Sequence, residues 1–272
     1  VDAHTHAFIR TGQIDSKFGF ALETGEALGA VRMAAGMEGI ELKGLHCHIG
    51  SQIFDIEPFE HAAEVMLGFI AEIREKTGLA LEILDLGGGF GIKYLPEHDP
   101  VQYDRYMMQV SETVKKSCAA LGINTPYIVI EPGRSIVGPA GVTLYTVGSV
   151  KEIPGVRTYV AVDGGMCDNP RYILYQSEYE AMVANKASQP RLRTVTIAGK
   201  CCESGDLIGE RMPLQEVQAG DIIAVLSTGA YNYSMASNYN RIPKPAVVML
   251  RDGKDRVVVR RETLDDFIRN DL

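Results

Sequence analysis

A strand followed by a helix recurs in the first half of this chain with a period of roughly 40 residues, and that repeat restricts the fold to packed β/α units. Glu41 to Cys47, Leu81 to Leu86 and Tyr127 to Ile130 read as short buried strands, and Val1-Asp2-Ala3-His4 reads as the middle of an earlier one. Strand ends therefore fall near residues 5, 47, 86 and 131. Helical stripes lie between them. Pro58 opens one helix where its missing N–H costs nothing, Ala62, Met66, Phe69 and Ile73 share a face, and Gly78 ends it. Tyr103, Met107, Val110, Val114 and Leu121 form the stripe of the next, closed by Gly122, and an earlier helix covers Glu26 to Ala35. Each polar cluster sits just past a strand, where α/β barrels and doubly wound sheets place their sites. Four such units are visible where a closed barrel needs eight, so residues 1–141 read as the C-terminal half of a (β/α)8 barrel within a longer protein.

Near Gly141 the pattern changes. Val142 to Val147, Thr158 to Val162, Arg193 to Ile197 and Ile222 to Leu226 alternate or run apolar with no helical stripe between them. Val247 to Leu250 and Arg256 to Arg260 flank Asp252-Gly253, a strong hairpin signal. Residues 142–272 are expected to form a mostly antiparallel β domain, with a short helix at Leu264 to Ile268.

Composition narrows the partners. The 272 residues carry a net charge of −8 without a basic block, which argues against nucleic acid or anionic lipid. Apolar runs are far shorter than a bilayer requires, so no membrane span is expected. The five cysteines (Cys47, Cys118, Cys167, Cys201, Cys202) are odd in number and lack a C-x-x-C pair. They fit neither a disulfide framework nor a zinc knuckle, and suit a reducing cytoplasm.

Several clusters could carry chemistry. Gly87-Gly88-Gly89-Phe90-Gly91 follows a strand, and its amides could cradle a phosphate; the plainer alternative is a tight turn, although three consecutive glycines exceed what a turn requires. Glu131-Pro132-Gly133-Arg134 places a carboxylate at a strand tip, suited to a protonated ring nitrogen, and an Arg suited to an anion; an ordinary ion pair fits equally. His4-x-His6 and His46-x-His48 could ligate a metal, but no Asp-rich third strand completes a set, so a His stacked on a flat ring is favoured and no metal is expected. Cys201-Cys202-Glu203-Ser204-Gly205-Asp206 is a polar loop in which at most one thiol faces a given site. The Tyr- and Asn-rich stretch Tyr231 to Asn240 suits a site wall better than a core.

Taken together, six segments resemble one family. These are Gly44 to Gln52, Leu84 to Gly91, Glu131 to Ser135, Val162 to Met166, Gly199 to Asp206 and Thr228 to Tyr231. In order and in register they are similar to the diaminopimelate decarboxylases, pyridoxal-phosphate enzymes with an alanine-racemase-like barrel and a β domain. The resemblance implies decarboxylation of meso-2,6-diaminoheptanedioate to L-lysine, with pyridoxal 5'-phosphate as the electron sink. It implies that His48 stacks on the cofactor ring. Ser51 would bind phosphate beside Gly87, Gly88 and Gly89, and Glu131 would hold the pyridine nitrogen, with Gly133 and Arg134 alongside. Arg134, Arg171 and Tyr175 would bind the distal end of the amino-acid substrate, and Glu203 its ammonium. Cys202 would supply a proton, and Tyr231 would touch both cofactor and substrate. Because Cys202 and Glu203 reach into the partner's site in this family, a cytoplasmic homodimer with shared active sites is implied.

One departure is plain. The family's Schiff-base lysine lies in the first barrel strand, and none of Lys17, Lys43, Lys93 and Lys200 sits in the matching motif. The chain is expected to be a fragment, inactive alone. The rivals are a decarboxylase of ornithine or arginine type, a catalytically dead binding module of the same fold, and a metal-dependent hydrolase.

Overall fold

The computed structural model describes residues 17–272. The expected first strand and the His4–His6 pair lie outside the described residues. The chain divides into two compact units. One takes the residues up to Lys93 together with His98–Ile136, and the other Tyr94–Glu97 together with Val137–Leu272.

The first unit is built on three parallel strands, β1 (Gly44–His46), β2 (Ile83–Asp85) and β3 (Tyr127–Val129), in that order, with Leu45, Leu84 and Ile128 in register. Helix α1 (Glu26–Ala35) precedes β1, α2 (Glu57–Thr77) joins β1 to β2, α3 (Tyr103–Leu121) joins β2 to β3, and the single turn α4 (Arg134–Val137) follows β3. This is the β/α order expected of half a barrel. The helix ends follow elementary rules. Pro58 lies in the first turn of α2, Glu57 and Glu60 sit at its positive end, and Arg74 and Lys76 at its negative end. Gly78 and Gly122 close α2 and α3 in the left-handed conformation, at φ 76° and 61°.

The buried face of α3 differs from the expected stripe. Tyr106, Val110, Val114 and Cys118 point inward, while Tyr103 and Leu121, at the two ends of the helix, are 40% and 37% exposed. Cys118 had offered no strong apolar signal, yet its small thiol fills the last turn of the buried row. The core between α2 and the strands is aliphatic, with Ala63, Leu67, Ile73 and Leu84 fully enclosed.

The second unit holds a six-stranded sheet in the order β6-β9-β4-β5-β7-β8. Its strands are β4 (Thr143–Ile153), β5 (Arg157–Val162), β6 (Ala181–Val183), β7 (Arg193–Ala198), β8 (Leu207–Leu214) and β9 (Ile222–Val225). Every pairing is antiparallel except β5 with β7. Short helices α5 (Arg171–Tyr175) and α6 (Asn232–Met235) interrupt the mostly antiparallel β domain that the sequence led us to expect. The last strands, β10 (Val247–Arg251) and β11 (Lys254–Val259), form a separate hairpin. Asp252 and Gly253 turn it with both φ positive, at 52° and 70°, as a two-residue loop of matching twist requires. Helix α7 (Leu264–Ile268) follows behind a Thr263–Asp266 capping box. No helix among the described residues is long and apolar enough to cross a membrane.

Phe90 ties the glycine turn of the first unit to its helical layer. Its ring stacks on Phe59 at 5.5 Å and meets the edge of Tyr106 at 4.7 Å. Phe90→Ala should therefore lower unfolding stability by about 3–5 kcal/mol, the usual cost of deleting a buried aromatic ring. Chemical denaturation checks this, and a loss under about 1 kcal/mol would mean that other contacts hold the turn.

Candidate active site

In the first unit, three strand ends are stitched together beyond the strands themselves. The Cys47 amide donates to the Asp85 carbonyl at 2.9 Å, and the Glu131 amide to the Gly87 carbonyl at 2.8 Å. Between these ties runs the glycine triplet. Gly87 and Gly89 have φ of 69° and 106°, which side-chain-bearing residues rarely adopt. A Cβ on Gly87 would stand 2.5 Å from the Cys47 carbonyl oxygen, on Gly88 2.5 Å from that of Glu131, and on Gly89 2.6 Å from that of Gly50. Three glycines thus do not exceed what this turn needs. Each is demanded by a neighbouring backbone, so their number alone does not point to phosphate.

Side chains then gather around the stitched ends. The Gly88 amide donates to His48 Nδ1 at 3.2 Å, which leaves the ring proton on Nε2. Burial holds the His48 pKa below its ordinary value; nearby His46 adds to the shift and Glu131 opposes it. Asp85 Oδ1 accepts the Gly87 amide at 2.9 Å, and His46 Nε2 lies 3.2 Å from Glu131 Oε2. His46, Asp85 and Glu131 bring one nitrogen or oxygen each within 4.8 Å of one another. His48, the second histidine of the His46-x-His48 pair, is not part of that group. The carboxylates come singly from two strand ends rather than from one Asp-rich strand. Arg134 is buried and donates from Nη2 to Ser51 Oγ at 2.7 Å, joining two motifs 83 residues apart. Gly133 has open space where a Cβ would stand, so packing does not require it.

The second unit gathers the remaining predicted residues. Arg171, at the start of α5, is 8% exposed, and its guanidinium lies 5.4 Å from the ring centres of both Tyr175 and Tyr231. Its Nε has no hydrogen-bond partner, and no carboxylate lies within 4.0 Å of it among the described residues. Tyr231 has a φ of 70°, and Ser227 earlier in the same loop has 57°, strained positions for such residues. The loop after β7 separates the paired cysteines within a bend, where the Glu203 amide donates to the Cys201 carbonyl at 2.8 Å. Cys201 is buried, its thiol pKa pushed up by burial and then by Asp206, while Cys202 is exposed. The Glu203 carboxylate accepts the Gly205 amide at 3.3 Å. Sequence reasoning placed Asp206 and Asn240 in polar stretches without giving either an organising role, and it missed Asp168. Asp206 accepts two backbone amides, Asn240 accepts the Cys202 amide, and Asp168 takes the Tyr145 hydroxyl at 2.5 Å. The glycines at 164, 165 and 199, crowded by these side chains, were the available signal.

Residues 1–138 match the sequence profile of a family described as pyridoxal-dependent decarboxylase, pyridoxal binding domain. The chain belongs to the pyridoxal-dependent decarboxylases. Within them it is 53% identical, over all 272 residues, to the diaminopimelate decarboxylase of Bacillus subtilis, of which it covers 62%. Among solved structures it resembles the diaminopimelate decarboxylase of M. jannaschii, with a TM-score of 0.89 at 35% identity, covering 100% of this chain and 61% of that one. The Helicobacter pylori diaminopimelate decarboxylase, solved with L-lysine, matches at a TM-score of 0.86 and 33% identity, over 99% of this chain and 64% of its own. The chain thus spans about three fifths of the length of the relatives it matches.

The half-buried His48 ring makes a pH prediction for this chain. An NMR titration should place its midpoint below 6.5. Since the folded state disfavours the charged ring more than the unfolded chain does, stability should fall as pH drops from 6.5 through the folded midpoint. His48→Gln should remove that part of the acid sensitivity.

Proposed function

We propose that the full protein is a diaminopimelate decarboxylase, releasing CO2 from meso-2,6-diaminoheptanedioate to give L-lysine. The observation that carries this is Arg171, a buried cation without a carboxylate within 4.0 Å among the described residues. A guanidinium out of water needs an anion. The distal end of the proposed substrate has one, whereas ornithine and lysine carry only an amine there. Tyr175 and Tyr231 would fix the guanidinium plane for two-point binding of that carboxylate, with Arg134 as a second cation and Glu203 facing the distal ammonium.

Pyridoxal 5'-phosphate fits the first unit's residues. The buried Arg134 guanidinium, joined to the Ser51 hydroxyl at 2.7 Å, offers a cation and a hydroxyl suited to a phosphate, and the Glu131 carboxylate is suited to a protonated ring nitrogen. When bound, the cofactor supplies the electron sink that makes loss of CO2 feasible. Residues 1–141 would hold it. Amides of Gly87 to Gly89 with Ser51 would take its phosphate, and Arg134 and Gly133 would lie alongside. His48, neutral at pH 7, would present a flat uncharged face to its ring. Glu131 would hold a proton on its ring nitrogen, with His46 and Asp85 shaping the charge around that carboxylate. Residues 142–272 would supply the substrate-facing groups, with Tyr231 touching both cofactor and substrate. Cys202 would deliver a proton to the carbon that has lost CO2. A cytoplasmic homodimer with shared active sites belongs to the same proposal, supported by the exposure of the Cys202 loop and by five free thiols.

Two measurements on the full-length enzyme test it. The kcat/KM for meso-diaminopimelate should exceed that for ornithine by more than about a hundredfold, because ornithine leaves Arg171 unanswered. Comparable values would overturn the substrate assignment. Cys202→Ala should lower turnover by about a hundredfold or more, the scale of a general acid, and Cys201→Ala far less. Equal losses would remove Cys202 from its role.

A further inference from the structure

We infer that Asp206 and Asn240 are positioning residues that together fix the direction in which Cys202 points. The inference rests on the proposed role of Cys202 as proton donor, and adds what holds it there.

Asp206 is 2% exposed and has no Lys, Arg or His within 4.0 Å among the described residues. Backbone amides answer its charge instead: Oδ1 accepts Met166 N–H at 2.6 Å, and Oδ2 accepts Cys201 N–H at 2.7 Å. One carboxylate thereby ties the loop after β5 to the loop after β7. Its main chain closes the second loop as well. The Asp206 carbonyl accepts the Gly199 amide at 2.8 Å, and the Asp206 amide donates to the Glu203 carbonyl at 3.0 Å. The fit excludes side chains on both flanks, since a Cβ on Gly165 or Gly199 would stand 2.5 Å or 2.2 Å from Asp206 Oδ2.

The adjacent amide is held from elsewhere. Cys202 N–H donates to Asn240 Oδ1 at 2.8 Å, and Asn240 itself sits at φ 53°, a conformation that Asn tolerates better than most residues. With the amides of Cys201 and Cys202 fixed by two different acceptors, neither peptide plane can rotate freely. In the bent backbone held this way, Cys201 is buried and Cys202 exposed. A donor must sit within hydrogen-bond reach of the atom it protonates, so loosening either anchor should act through geometry rather than through substrate binding.

The test uses full-length, cofactor-loaded enzyme carrying Asp206→Asn, Asn240→Ala or Cys202→Ala. An amide at 206 keeps the shape but turns an NH2 toward one of the two N–H donors. Amide hydrogen exchange should quicken about tenfold or more at Cys201 in Asp206→Asn and at Cys202 in Asn240→Ala. In D2O, the deuterium placed on the carbon that lost CO2 should change from one configuration to a mixture. In both anchor variants kcat should fall at least about tenfold, with KM within about threefold. Unchanged exchange at these amides would overturn the anchoring, whatever Cys202 does. Faster exchange with intact product configuration, while Cys202→Ala scrambles it, would overturn the positioning role and leave the proton-donor assignment standing. Intact configuration and turnover in Cys202→Ala would defeat the donor assignment and with it this inference. Should Asp206→Asn fail to fold, Asn240→Ala, at an exposed position, carries the same comparison.

Discussion

Backbone-to-backbone approach at the strand ends is the constraint on which the rest of the first unit depends. Gly87, Gly88 and Gly89 pass within a carbon's width of the carbonyls of Cys47, Glu131 and Gly50. Such closeness is open only to residues without a Cβ. It lets each strand end bond to the next, so His48 and Glu131 project from one braced rim rather than from independent loops. Phe90 carries that rim into the core by packing on Phe59 and Tyr106.

The second unit solves a similar problem with charge. Asp206 and Arg171 are both buried, yet they are treated oppositely. Asp206 is answered by backbone amides and needs nothing more, whereas Arg171 has tyrosine rings beside it and no carboxylate in reach. Burying a charge is tolerable where dipoles or an opposite charge compensate it. A satisfied charge therefore reads as architecture, and an unanswered one as a place for a ligand.

Much of this was legible in the sequence. The helix at Glu26–Ala35, the Pro58 start and Gly78 stop of α2, and the Asp252-Gly253 hairpin all follow from local chemistry that tertiary packing does not override. Strand β8 was not legible, because Gly209, Glu210, Arg211 and Pro213 look like a turn. They fit a strand only because β8 lies at the sheet edge and bulges between Gly209 and Met212, with Arg211 at φ 51°. Among the site residues, those in dense motifs stood out, and the structure places Ser51 with Arg134 and Arg171 with Tyr175 and Tyr231. The bonds made by Asp206 and Asn240 and the His46–Glu131 contact escaped notice because their partners are distant in sequence or are backbone amides, which carry no residue label.

The separation of the two adjacent cysteines also sorts the chain's sulfur by reactivity. Burial raises the pKa of Cys47, to about 11, and raises those of Cys118, Cys167 and Cys201 as well. A thiol attacks electrophiles and peroxides as its thiolate, so four of the five are protected by their surroundings. Cys202 alone stands in solvent. Oxidative or alkylating damage to this protein would therefore concentrate on one atom, which makes that sulfur both its most vulnerable point and its simplest site for selective labelling.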